Sequence, residues 1–204
     1  MSHGVVPKQV AEGTRLGLAP LARRLHAVGI TANAVTMLGS LLTLAGSVLL
    51  ALGMPFPALL VLLAGALSDT LDGQLARAAG GGTAFGGFLD STLDRVSDAA
   101  LACAAAALGA TTGDPLLFWA ALAGLVTSFL VSYVRAKAES LGIKADVGLA
   151  PREARLTVML VGVGCWGLFG LRPLFVAAVV AVALLATITL LQRVTFVARA
   201  LGTR

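Results

Sequence analysis

Apolar positions in this chain gather into long runs, separated by short breaks rich in polar residues, glycine and proline. Six runs fall at about 32–52, 55–79, 86–111, 115–140, 154–171 and 174–198. An α-helix needs about 20 mostly apolar residues to cross a hydrocarbon core, so the pattern predicts six transmembrane helices. The breaks carry helix-ending residues: Gly53-Met54-Pro55, Gly80-Gly81-Gly82, Gly113-Asp114-Pro115 and Arg172-Pro173. Residues 5–28 hold no apolar stretch long enough to span. There Leu18, Leu21, Leu25 and Val28 recur at helical spacing, while Arg15, Arg23, Arg24 and His26 fall largely elsewhere. This predicts an amphipathic helix lying on the membrane surface, bent at Pro20. The expected architecture is an all-α integral membrane protein. It forms a single membrane domain over residues 1–204, with the surface helix followed by a six-helix catalytic domain over 32–198.

Composition agrees and narrows the function classes. Of 204 residues, 58% are hydrophobic and 12% charged, against roughly 25% charged in soluble domains. An ordinary soluble globule, a disordered chain and a disulfide-stapled module are excluded. Cys103 and Cys165 lie in apolar runs with no CxxC or histidine partner, and read as inert thiols. The net charge of +5 comes with only 5% aromatic residues, and the basic residues cluster between apolar runs. Anionic lipid and phosphorylated substrates therefore suit it better than nucleic acid. Residues 1–15 lack the apolar core of a cleavable signal peptide.

The same charges predict orientation. One set of helix ends holds Lys8, Arg15, Arg23, Arg24, Arg77, Arg135, Lys137, Lys144, Arg152, Arg155, Arg193, Arg199 and Arg204, the other only Asp114 and Arg172. Basic residues mark the cytoplasmic side. With an even number of spans, both termini are expected on that side of a cell membrane.

Five of the ten acidic residues, Asp69, Asp72, Asp90, Asp94 and Asp98, crowd into the second and third runs. A carboxylate at the centre of a spanning helix costs about 2.5–3.5 kcal/mol on insertion scales, so such a cluster needs a reason. Asp69 and Asp72 share one helix face by their spacing, as do Asp90 and Asp94. The short glycine-rich link between the runs makes the helices antiparallel neighbours with facing acidic sides. Converging carboxylates cannot all stay ionised unaided. Arg77 and Arg95 are too few to neutralise five aspartates, whereas a pair of divalent cations would. Oxygen ligands suit Mg²⁺ or Mn²⁺, and magnesium typically binds beside substrate phosphates. Proton or cation transport is the alternative from another class. Transport carboxylates usually sit near the membrane midplane beside broken helices, but these flank a cytoplasmic turn.

The run in full is Asp69-Thr-Leu-Asp72-Gly73-Gln-Leu-Ala76-Arg77, eight residues, then Gly86-Gly-Phe-Leu-Asp90-Ser-Thr-Leu-Asp94. It resembles the CDP-alcohol phosphotransferase signature, DxxDGxxAR followed after eight residues by GxxxDxxxD, at every fixed position. Intramembrane prenyltransferases also use DxxD-type pairs, but would not require Gly73, Ala76, Arg77 and Gly86. The resemblance implies that Asp69, Asp72, Asp90 and Asp94 hold two metal ions and that Asp94 is the general base. It implies contact with a CDP-linked lipid at Asn33, Thr36 and Thr83. Gly73 would let a nucleotide approach the helix backbone, Ala76 keeps that face shallow, and Arg77 can pair with a diphosphate. Gly86 is expected to let the third span approach the second. The implied reaction is attack by an acceptor hydroxyl on the lipid-bearing phosphorus of CDP-diacylglycerol, releasing CMP. A homodimer among membrane lipids is implied too.

The acceptor is signalled more locally. Arg135 and Lys137 end the fourth span, Arg152 and Arg155 open the fifth, and Arg193 lies near the end of the sixth. Together they could form a pocket for a phosphorylated polyol. Ser132-Tyr-Val-Arg135-Ala-Lys-Ala-Glu, Arg155 and Gln192-Arg193 are similar to segments of the bacterial phosphatidylinositol-phosphate synthases. That likeness implies acceptor binding by Ser132, Arg135, Arg155 and Arg193, with inositol phosphate as acceptor. Glycerol 3-phosphate, as in phosphatidylglycerophosphate synthases, is the alternative. The chain departs from those relatives in reading Thr31-Ala32-Asn33 for Thr-Pro-Asp, and Ala150-Pro151-Arg152-Glu153 where they carry an acidic residue and arginine.

Overall fold

The computed structural model describes residues 20–202. Every regular element among them is helical: α1 (residues 20–27), α2 (Ala32–Ala51), α3 (Pro55–Ala78), α4 (Ala84–Thr111), α5 (Pro115–Ser140), α6 (Arg152–Phe169) and α7 (Arg172–Gly202). The six expected runs correspond to α2–α7, with ends displaced by up to a few residues. The described residues divide into two compact units that meet in sequence at Leu101 and Ala102.

In the N-terminal unit, the Thr31 side chain caps α2 by accepting from the Ala34 amide at 3.2 Å. α2 packs along α3 through small residues. A Cβ on Gly39 would lie 2.9 Å from Ser68 Cβ, so the two backbones approach more closely than any larger residue would allow. Farther along, the buried Ser40 and Ser97 hydroxyls lie 3.3 Å apart and join α2 to α4. Residues 5–19 of the expected surface helix lie outside the described residues, and Pro20 stands at their edge. Within α1, Ala22 packs with Val35 and Leu75, supported by Leu25, Ala32 and Leu71. Leu21 and Val28 are exposed instead. The side of α1 that meets α2 and α3 is thus the Ala22–Leu25 side, and Leu21 and Val28 lie outside that contact.

In the C-terminal unit, α7 packs against both α5 and α6. The Asp114 carboxylate caps α5 by accepting from the Leu117 amide at 3.0 Å. Pro115 occupies the first helical position, where a missing N–H costs nothing. Arg172 Nη2 donates to Thr112 Oγ1 at 2.7 Å and lies 3.4 Å from Asp114 Oδ2. The two charges that the sequence places apart from the basic helix ends therefore pair with each other.

Many large apolar side chains point outward: Leu38, Leu41 and Val48 on α2, Trp119 and Phe129 on α5, Leu184 and Leu191 on α7 are exposed. Alanine, glycine and serine fill much of the interior. That inversion suits a lipid surrounding, where close backbone packing rather than expulsion of large side chains holds helices together. α2, α3, α5 and α7 are long and apolar enough to cross a membrane. α4 and α6 are set apart by charge, α4 by Asp90, Asp94, Arg95 and Asp98, α6 by Arg152, Glu153 and Arg155.

Candidate functional site

Three carboxylates converge in the N-terminal unit. Asp69 and Asp72 come from one turn of α3, Asp90 from α4, and an oxygen of each lies within 4.8 Å of the others. At that separation each ionised pair repels by about 3–4 kcal/mol at an effective dielectric near 20. Asp72 is buried, and its Oδ2 has no hydrogen-bond partner. An orphaned, buried carboxylate oxygen among two further carboxylates is a hard, anionic donor set that fits a divalent metal ion. Asp94, one helical turn beyond Asp90, is not part of this three-carboxylate group; its Oδ2 lies 3.7 Å from Arg95 Nη1.

The remaining motif residues surround the aspartates in distinct ways. Thr36 on α2 donates to Ala32 O at 3.0 Å, and its hydroxyl lies within hydrogen-bonding reach of the Asp72 carboxyl. A Cβ at Gly73 would meet only Arg77 Nη2, 3.8 Å away, so that part of α3 is open and overlooked by the Arg77 guanidinium. Ala76 lies on the same helix, half-buried. Thr83 accepts from the Gly86 amide at 2.9 Å and thus caps the first turn of α4, a local duty that the motif does not reveal. Gly86 differs from expectation. A Cβ there would sit 3.0 Å from Asn33 Oδ1 on α2 and 3.1 Å from Thr83 Oγ1. Its missing side chain makes room for Asn33 of the first span, not for the second span.

The basic cluster occupies the C-terminal unit. Arg135 on α5, Arg155 on α6 and Arg193 on α7 lie close enough for Arg193 to feel the charges of both others. Arg155 and Arg193 are buried. Arg155 Nη1 donates to Ala150 O at 2.8 Å; Arg193 donates through Nε to Val147 O at 2.8 Å and through Nη1 to Val131 O at 2.9 Å. Arg135 is exposed, donating to Glu139 Oε1 at 3.0 Å and lying 3.9 Å from Asp146. Ser132 donates to Ser128 O at 3.2 Å. Sequence reasoning missed the backbone duties of Arg155 and Arg193, and with them Thr189 and Gln192. The available signal was the spacing of Thr189, Gln192 and Arg193, polar positions three and four apart on one face of a largely apolar helix.

A family model described as CDP-alcohol phosphatidyltransferase matches residues 29–201. The phosphatidylinositol phosphate synthase of Mycobacterium marinum is 43% identical over 149 residues, which cover 71% of this chain and 63% of that protein. The alignment thus spans less than two thirds of that relative's length. The crystal structure of Mycobacterium tuberculosis phosphatidylinositol phosphate synthase with CDP-DAG bound superposes with a TM-score of 0.81 at 37% identity, covering 88% of this chain and 92% of that one. A second structure of that enzyme, in complex with manganese and citrate, gives a TM-score of 0.81 at 38% identity and covers 88% of each chain. The matched family segment takes in every helix from α2 onward, with the converging aspartates and the arginine cluster inside it, and so the chain belongs to the CDP-alcohol phosphatidyltransferase family.

Proposed function

We propose that this protein transfers a phosphatidyl group from CDP-diacylglycerol to a hydroxyl of inositol phosphate, releasing CMP. The observation that carries this reading is the convergence of Asp69, Asp72 and Asp90 with an unpartnered buried oxygen, set in a chain of this family. The acceptor oxygen attacks the lipid-bearing phosphorus, the bond from that phosphorus to the CMP oxygen breaks, and CMP departs with its phosphate. Asp69, Asp72 and Asp90, joined by Asp94, would hold two ions, Mg²⁺ or Mn²⁺. When bound, they supply positive charge against the diphosphate and the departing CMP. Asp94 takes the hydroxyl proton as general base. Arg77 pairs with the diphosphate beside the open face of Gly73 and shallow Ala76, while Asn33, Thr36, Thr83 and Gly86 line the cytidine side.

Arg135, Arg155 and Arg193, with Ser132, take the acceptor's phosphate. The bonds to backbone carbonyls use Nε and Nη1 of Arg193, so an anion would be met through Nη2. α4 and α6 join the four more apolar helices as spans, giving six. We place α1 on the membrane surface, both termini and the site on the cytoplasmic side of the bacterial cell membrane, and the whole chain in one domain that pairs as a homodimer. The test is CMP release by purified protein from CDP-diacylglycerol with inositol phosphate, glycerol 3-phosphate, serine or free inositol, in Mg²⁺ or Mn²⁺ and in EDTA. Inositol phosphate should be preferred, and EDTA should stop turnover. Preference for glycerol 3-phosphate would change the acceptor. Metal-dependent ion flux without CMP release would replace the enzyme by a transporter.

A further inference from the structure

The link between α5 and α6, residues 141–151, contains no helix or strand of its own, and α5 satisfies only the amides of Leu141, Gly142 and Ile143. Buried backbone groups without partners are costly, yet Ile143, Ala145 and Ala150 are buried. Its C-terminal half is held from a single face of α7. The Leu149 amide donates to Gln192 Oε1 at 2.7 Å and the Ala150 amide to the buried Thr189 Oγ1 at 3.1 Å. Arg193, on the same face, takes Val147 O. Gly148 adopts φ +138°, and a Cβ there would lie 2.5 Å from Thr189 Cγ2, so the loop is pressed onto that threonine.

These contacts form a causal chain. Thr189 and Gln192 fix the amides of residues 149 and 150, and that segment carries the carbonyl of Ala150 and adjoins that of Val147. Those carbonyls in turn aim the guanidinium groups of Arg155 and Arg193. A guanidinium is a planar fork, and its strength toward an anion depends on direction as well as distance. We infer that Thr189 and Gln192 are positioning residues that set affinity for the phosphorylated acceptor by holding the 147–150 backbone against which Arg155 and Arg193 are aimed. This rests on the reading of the arginine cluster as the acceptor's phosphate site.

The experiment uses the full chain in lipid nanodiscs, with Thr189→Val, Gln192→Leu and the conservative Thr189→Ser. Steady-state kinetics give the KM for inositol phosphate and for CDP-diacylglycerol separately, and hydrogen exchange follows the amides of Leu149 and Ala150. Removing either acceptor atom should raise the inositol phosphate KM about tenfold, with a less than about twofold change in the CDP-diacylglycerol KM. It should also speed exchange at the freed amide, and Thr189→Ser should restore both. Unchanged exchange would overturn the proposal, as would equal rises in both KM values or a fall in kcat alone. Gln192 is exposed, so Gln192→Leu carries the test if Thr189→Val does not fold. If the wild-type chain uses an acceptor without phosphate, the proposed function fails. The positioning role is then decided by whether that acceptor's KM rises along with amide exchange.

Discussion

A carboxylate buried like Asp72, with one oxygen lacking any partner and two further carboxylates within 4.8 Å, pays for desolvation and for like-charge repulsion at once. A bound cation removes both costs. Asp72→Asn keeps the shape but removes one charge, so in EDTA its Tm should equal or exceed that of the wild type. Any rise in Tm on adding Mn²⁺ should shrink, because stabilisation by a ligand follows its affinity for the folded state. Thermal unfolding in EDTA and in Mn²⁺ measures both; a Tm well below wild type in EDTA would mean the charge was already satisfied. Asp94 stands apart from the three-carboxylate group, and its substitution should behave differently. Asp94→Asn is expected to lower kcat by at least about 10²-fold as a lost base, while CDP-diacylglycerol binding, followed by titration, is retained.

Glycines that resemble each other in sequence do opposite work at the scale of helices. Gly39 lies against Ser68, so Gly39→Val should separate α2 from α3 and destabilise the protein by about 1–3 kcal/mol, as overpacking does. Gly73 faces open space apart from Arg77 Nη2. Gly73→Ala should leave the Tm unchanged or higher, since alanine favours a helix over glycine by about 1 kcal/mol, while raising the CDP-diacylglycerol KM. Parallel melting curves and kinetics on the two variants check the contrast. Arg193 links α7 to the carbonyls of Val131 and Val147, and a lysine ammonium cannot reproduce that fork. Arg193→Lys should therefore raise the acceptor KM despite keeping its charge. It should also cost about 1–3 kcal/mol, the penalty of leaving a buried carbonyl unsatisfied, read from the same two measurements.

For the whole molecule, the expected arrangement is a set of helices whose basic ends share one side. Single cysteines at Lys144 and Arg204, in a background lacking Cys103 and Cys165, should react with an impermeant thiol reagent only when the cytoplasmic side is open. Cysteines at Gly53 and Gly113 should react only from the opposite side. Labelling of 53 and 144 from the same side would break the six-span reading. Asp114 pairs with Arg172, so the one arginine on the side expected to be poor in basic residues has its charge offset locally.

Sequence alone determined the helical membrane class, the near positions of all six long helices, the family signature and the aspartates, because each depends on local spacing or composition. Apolar length sets a span, and a charge inside one is conspicuous wherever it falls. The chain contacts of particular side chains were not legible in the same way. That Gly86 makes room for Asn33 and that Ala22 rather than Leu21 meets the core follow from how helices distant in sequence rotate against each other. The arginines show the limit most clearly. Their charge and position on α6 and α7 are readable as an anion site, but a guanidinium spends its donors on whatever carbonyls lie nearest. Only the folded path of residues 141–151 decided that Arg155 and Arg193 also hold backbone, and that Thr189 and Gln192 hold it with them.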